Sequence, residues 1–203
     1  MPNCAEKLLD VIGGEKDPQT LSSMIHAIGS LHDRQSISVV AKFEHHPVPD
    51  VRNAVVHALS GYEDEQAMAA LIRLSADPDR DVRDWATFGL GSQMDADNPT
   101  IRDALFARAN DSDDEIRGEA IVGLARRGDT RVIQLILREL NSHREDVLKD
   151  WSLMRDAAEA VTENSIQSRN PAWLPLLTRF FELNIGDAQK IQAAIDQLSA
   201  RNQ

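Results

Sequence analysis

The chain has 203 residues, 42% of them apolar and only 4% aromatic, enough to bury a substantial core in one unit. Its formal charge of −11 argues against nucleic acid, because affinity for phosphate comes from clustered Lys and Arg, and its single cysteine, Cys4, rules out an internal disulfide. No apolar run reaches the length of a membrane span, and residues 1–20 lack a basic start followed by an apolar stretch, so the sequence reads as a cytoplasmic protein with its own N-terminus.

Plentiful Ala, Leu, Asp and Arg with few aromatics predict helices rather than strands. A first helix is expected at about residues 4–12. A repeat then becomes visible. Shifted by 31 residues, Ile25-His26-Ala27-Ile28 and its following Asp33, Gln35 and Pro47 fall on Val56-His57-Ala58-Leu59, Asp64, Gln66 and Pro78, with no gap. Asp50-Val51-Arg52 opens a helix with apolar residues at Val51, Val55, Ala58 and Leu59, one stripe of an α-helix. Met68, Leu71 and Ile72 form the stripe of a partner helix.

The mark recurs. Asp81-Val82-Arg83 is followed by Ala86, Gly89 and Leu90; after an insertion near Asp95-Ala96-Asp97 comes the stripe Ile101, Leu105, Phe106. Glu115-Ile116-Arg117 with Ala120, Gly123 and Leu124 is paired with Val132, Leu135 and Ile136. The stretch 141–149 is the least regular connection, and Met154-Arg155-Asp156 is a weaker copy. A polar helix over about 187–201 fits a cap. Asp77-Pro78, Asn98-Pro99 and Asn170-Pro171 place capping residues at helix starts, and Gly61, Gly91 and Gly128 fall where the Val-Arg helices should stop. The expected architecture is all-α: a superhelix of about six antiparallel helix pairs, residues 1–203 forming a single domain whose pairs share one core.

The Asp-Val-Arg-x-x-Ala-x-x-x-Leu helix, the Gly-Asp turn and the Leu-rich second helix resemble HEAT repeats of the phycobilin-lyase-like subtype, from about Thr20 onward. Residues of about 77–140, including Asp81 to Phe88 and Glu115 to Leu124, also look like a bacterial HEAT-repeat group found beside Rhs-type toxins and regarded as their immunity proteins. The resemblance implies a solenoid that binds another protein, in the finer form a basic toxin domain; the alternative it implies is a bilin-lyase-like enzyme or chromophore-attachment chaperone. The His-Glu dipeptides of the HEAT-like hydroxylase that modifies deoxyhypusine are missing, and the acidity disfavours the HEAT-like DNA glycosylases.

The resemblance further implies a ladder in which Arg52, Arg83, Arg117 and Arg155 meet acids at repeat turns, with Asp50, Asp81 and Glu115 as candidates. It also places the Val-Arg helices on the concave side. Positions pointing away from the buried stripe there include Ser22, His26, Asn53, His57, Asp84, Phe88, Val122 and Asp156, with Trp85 on the flank touching a neighbouring repeat. The protein-binding site expected is Asn53, His57, Asp84, Trp85, Phe88 and Val122. The acids of 77–81 and 111–115 read as helix caps. His45, His46 and Cys4 lack a third ligand at helical spacing, and no phosphate loop or catalytic set can be assembled, so no metal, cofactor or catalytic residue is expected.

Overall fold

The structure is a computed structural model, and it describes residues 4–142 and 151–200; residues 143–149 of the irregular connection expected at 141–149 lie outside it. Among the described residues there are twelve α-helices and no strand. Contacts group the chain into two compact units, Met1–Ala104 and Leu105–Gln203, whereas the sequence alone predicts a single domain.

The first unit contains α1 (Cys4–Ile12), α2 (Pro18–Ser30), a short helical segment with α3 (Ile37–Val40) between two 3-10 turns, α4 (Pro49–Leu59), α5 (Glu65–Leu74) and α6 (Arg80–Ser92). Here α2 packs on α4 and α4 on α6, making one layer. The segment around α3 and helix α5 pack against α4, and α5 also against α6, making the other layer. The stripes responsible are Leu21, Ile25 and Ile28; Val51, Val55 and Leu59; and Val82, Ala86 and Leu90, each residue at most 2% exposed. Burying each of the larger side chains contributes roughly 1.5–3 kcal/mol. The α3 segment is broken because Ile37, Val39 and Val40 are β-branched and two serines compete for backbone hydrogen bonds. Helices α2 and α4 approach closely, so that a Cβ added to Gly29 would stand 2.7 Å from Ala58 Cα.

Helix α7 (Pro99–Arg108) carries the division between the units. The second unit continues with α8 (Asp114–Arg126), α9 (Val132–Ser142), α10 (Ser152–Ser168), a 3-10 turn running into α11 (Leu174–Leu183), and α12 (Ala188–Ser199). There α8 packs on α9 and α10, and α10 packs on α11 and α12. Trp173, Leu176, Leu177 and Phe180 are at most 1% exposed and fill the end of this core.

Caps follow the sequence with two corrections. Asp17, Asp64, Asp79, Asp113 and Asp187 accept backbone N–H groups at the starts of α2, α4's neighbour α5, α6, α8 and α12. Asn98 accepts from Ile101 and Asn170 from Ala172, as their Pro neighbours predict. Asp77 is not a cap, because α6 starts two residues later on Asp79. Gly61 and Gly128 adopt the left-handed conformation that ends a helix, at φ +84° and +62°. Gly91 does not; it is buried inside α6, which runs on to Ser92.

The arginine ladder exists in a different register from the one the resemblance implies. Arg52 Nη1 donates to the carbonyls of His46 and Pro47, Arg83 Nη1 to those of Asp77 and Pro78, and Arg117 Nη1 to those of Asp111 and Ser112. Each arginine thus reaches five and six residues back and pins the turn before its own helix. The acids are not Asp50, Asp81 and Glu115. Arg52 donates to both oxygens of Asp77, and Arg117 pairs with Glu139 at 3.4 Å and with Asp114 at 2.5 Å. Asp50, Asp81 and Glu115 sit in the first turns of their helices and are exposed, pointing to water, where the helix dipole favours them. Arg155 is exposed, and the two residues in the matching position before it, 149 and 150, lie outside the described residues.

Candidate functional site

Helices α2, α4 and α6 set residues 31 apart in register, and the His26, His57, Phe88 column comes out on one face of the first unit. The rings touch in sequence. His26 and His57 have centroids 5.6 Å apart, His57 and Trp85 4.7 Å, and Trp85 and Phe88 5.9 Å in an edge-on arrangement with an interplanar angle of 85°. Trp85 comes from α6 and reaches back onto α4, so it bridges two repeats. Aromatic pairs at such separations contribute about 0.5–1.5 kcal/mol beyond area burial. Yet Trp85 remains 43% exposed, one of the few large apolar side chains that do. Phe88 is half-buried; His57 is open to solvent on one side, while the His26 and Trp85 rings cover its imidazole from the others and partly desolvate it.

Polar groups surround this row. Asp84 is half-buried and accepts from Arg80 at 3.1 Å; Arg80 also bonds Asp81 at 3.3 Å. Ser22 donates to the Asp50 carbonyl at 3.3 Å, linking α2 to α4. Asn53, one turn before His57, has its amide oxygen buried without a hydrogen-bond partner. The His57 imidazole is held below its ordinary value, first by burial and then by the neighbouring His26, so it stays neutral near pH 7. Beside the row, His26, Ser30, His57, Ser60 and Tyr62 line a pocket of about 190 Å³.

Of the six residues expected at the site, His57, Trp85 and Phe88 meet in the ring row, and Asn53 and Asp84 lie on the same two helices, α4 and α6. Val122 does not. It lies on α8 of the second unit and is only 1% exposed. The extrapolation from α4 fails because every residue of α8 from Ala120 to Ala125 is buried. Six consecutive buried residues cover every side of the helix, so this stretch of α8 has no free face. The sequence reading also missed Asp77 as a ladder acid. The usable signal was its repeat slot: His46, Asp77 and Asp111 each accept the N–H two residues on, just before a Val-Arg helix.

In the second unit, Arg155 and Asp156 line a pocket of about 230 Å³ with Glu159, Glu163 and Lys190. Among the described residues no group of three or more His, Cys, Asp or Glu could hold a metal ion, and no helix is long and apolar enough to cross a membrane.

Paired helices, with α4, α6 and α8 each latched to the turn before it by an arginine, define an α-helical repeat protein. The chain belongs to the HEAT-repeat family, whose family model matches residues 5–91 and again 69–155. Protein YibA of Escherichia coli strain K12 is 33% identical over 114 residues, which are 56% of this chain and 36% of that protein; YibA of Escherichia coli O157:H7 gives the same figures. The chain therefore spans 36% of the length of the curated relatives it matches. The crystal structure of YibA from Escherichia coli superposes with a TM-score of 0.69 at 25% identity, over 96% of this chain and 67% of that one. An engineered protein superposes with a TM-score of 0.68 over 98% of both chains at 17% identity, a likeness of fold alone.

Proposed function

We propose that this protein is a non-catalytic binding scaffold and that its contact surface is the face of the first unit formed by α2, α4 and α6. One observation carries the reading: a tryptophan seated on the rings of His57 and Phe88 and still 43% exposed. Rigidly held, partly exposed tryptophans dominate binding energy where partners cover them. HEAT repeats generally mediate protein interaction, which agrees.

A finer reading is that the partner is a toxin domain with a basic surface and that the protein neutralises it in the cytoplasm. It is supported by the sequence resemblance over residues 77–140 and by the charge of −11. The experiment is co-purification with the product of the adjacent gene. The triple variant Asp84→Lys, Trp85→Ala, Phe88→Ala is expected to lose the partner. Retention at wild-type level discards this face, and absorbance from a bound chromophore in the purified protein would favour the lyase-like alternative.

A further inference from the structure

We propose that the aromatic row of the first unit seats a lysine or arginine side chain from an extended basic segment of the partner, an inference that rests on the binding reading above.

The ring chemistry comes first. Tryptophan is the best aromatic seat for a cation, and a cation over its face gains about 0.5–2 kcal/mol. Trp85 makes its ring contacts to α4 and within α6 and leaves part of the indole open. Among the described residues no cation is recorded over an aromatic ring of the first unit, whereas Arg131 stands over Phe106 in the second.

Charge gives the sign of the guest. Helix α2 carries no charged residue between Pro18 and Ser30. On α4 and α6 the arginines are engaged inward: Arg52 is buried against Asp77, and Arg83 donates to two turn carbonyls. The charges that reach solvent include exposed Asp50 and Asp81 and half-buried Asp84, against exposed Arg80, which bridges the last two, and half-buried Arg83, whose guanidinium turns to the carbonyls before α6. Carboxylates outnumber guanidiniums there, in a chain whose formal net charge is −11.

Geometry sets the reach. Packed helices stand about 8–10 Å apart, and an extended chain advances about 3.3 Å per residue. A segment of about seven residues therefore crosses from α2 to α6.

The test uses the full chain and three labelled heptapeptides of alternating Gly with Arg, Lys or Glu, read by fluorescence anisotropy at constant salt. The Arg and Lys peptides are expected to bind and the Glu peptide not to. Trp85→Ala is expected to weaken the Arg peptide about five-fold or more, corresponding to a loss of about 1 kcal/mol. Asp81→Lys weakens it too, and Phe181→Ala, an exposed ring of the second unit, leaves it unchanged. Trp85→Phe keeps a ring and checks against misfolding, with affinity between wild type and Trp85→Ala. No binding of the Arg peptide, equal binding of the Glu peptide, or binding indifferent to Trp85→Ala overturns the inference. If that happens while the triple variant still loses the co-purified partner, the cationic guest falls and the binding face stands.

Discussion

The guanidinium of Arg52 grips both carboxylate oxygens of Asp77, at 2.7 Å from Nε and 2.6 Å from Nη2, with the two side chains only 10% and 7% exposed. The same guanidinium holds the carbonyls of His46 and Pro47. One side chain thereby ties the turn before α4 to the turn before α6. With four of its five N–H donors matched, the pair is the buried kind whose disruption leaves an uncompensated charge.

Asp77→Ala is therefore expected to destabilise the protein by about 3–5 kcal/mol. Asp50→Ala, which removes only an exposed acid from the first turn of α4, costs at most about 1 kcal/mol. Urea unfolding followed by circular dichroism measures both. Equal effects would remove Asp77 from the ladder.

Acid sensitivity follows from His57. Burial, then His26, hold its pKa below the ordinary 6.5. In the window between the lowered value and 6.5 the unfolded chain binds more protons than the folded one. Stability therefore rises with pH through that window and is fully present above about 6.5. His57→Gln should flatten this part of the profile. A wild-type profile that falls as pH rises toward 6.5, or one unchanged by the substitution, contradicts the placement of His57 against His26 and Trp85.

Gly29 tests the packing of α2 on α4. An added Cβ would meet the Ala58 Cα at 2.7 Å and its Cβ at 2.8 Å, backbone that cannot step aside without parting the helices. Gly29→Ala should cost about 1–3 kcal/mol. Gly13→Ala, where a Cβ meets nothing within 4 Å, should stay within about 0.5 kcal/mol. Thermal melts of the two variants compare them directly.

How much could be read in advance differs by level. Helix positions were legible because each stripe, such as Val51, Val55 and Leu59, is a local pattern that burial alone enforces. The alignment of His26, His57 and Phe88 was legible because a constant repeat length carries one face from helix to helix. Val122 was not, since the exposure of α8 depends on what surrounds it rather than on its own periodicity. The partner of Arg52 was not legible either. Asp50 is two residues away in sequence, but it points to solvent from the first turn of the helix, whereas Asp77 arrives at the guanidinium only through the stacking of α4 on α6. The tilted contact of Trp85 with His57 is of the same kind: the flank position was readable, the exposure was not.

The central claim is that the face carrying Trp85 contacts another protein. Site-specific photo-crosslinking in the native host tests it most directly, with the photoreactive residue placed at position 84 in one protein and at position 69, on helix α5, in another. The account predicts one discrete protein adduct from position 84, lost when Trp85→Ala is added, and none from position 69. Adducts from position 69 alone, or an adduct from position 84 that persists without Trp85, would contradict it.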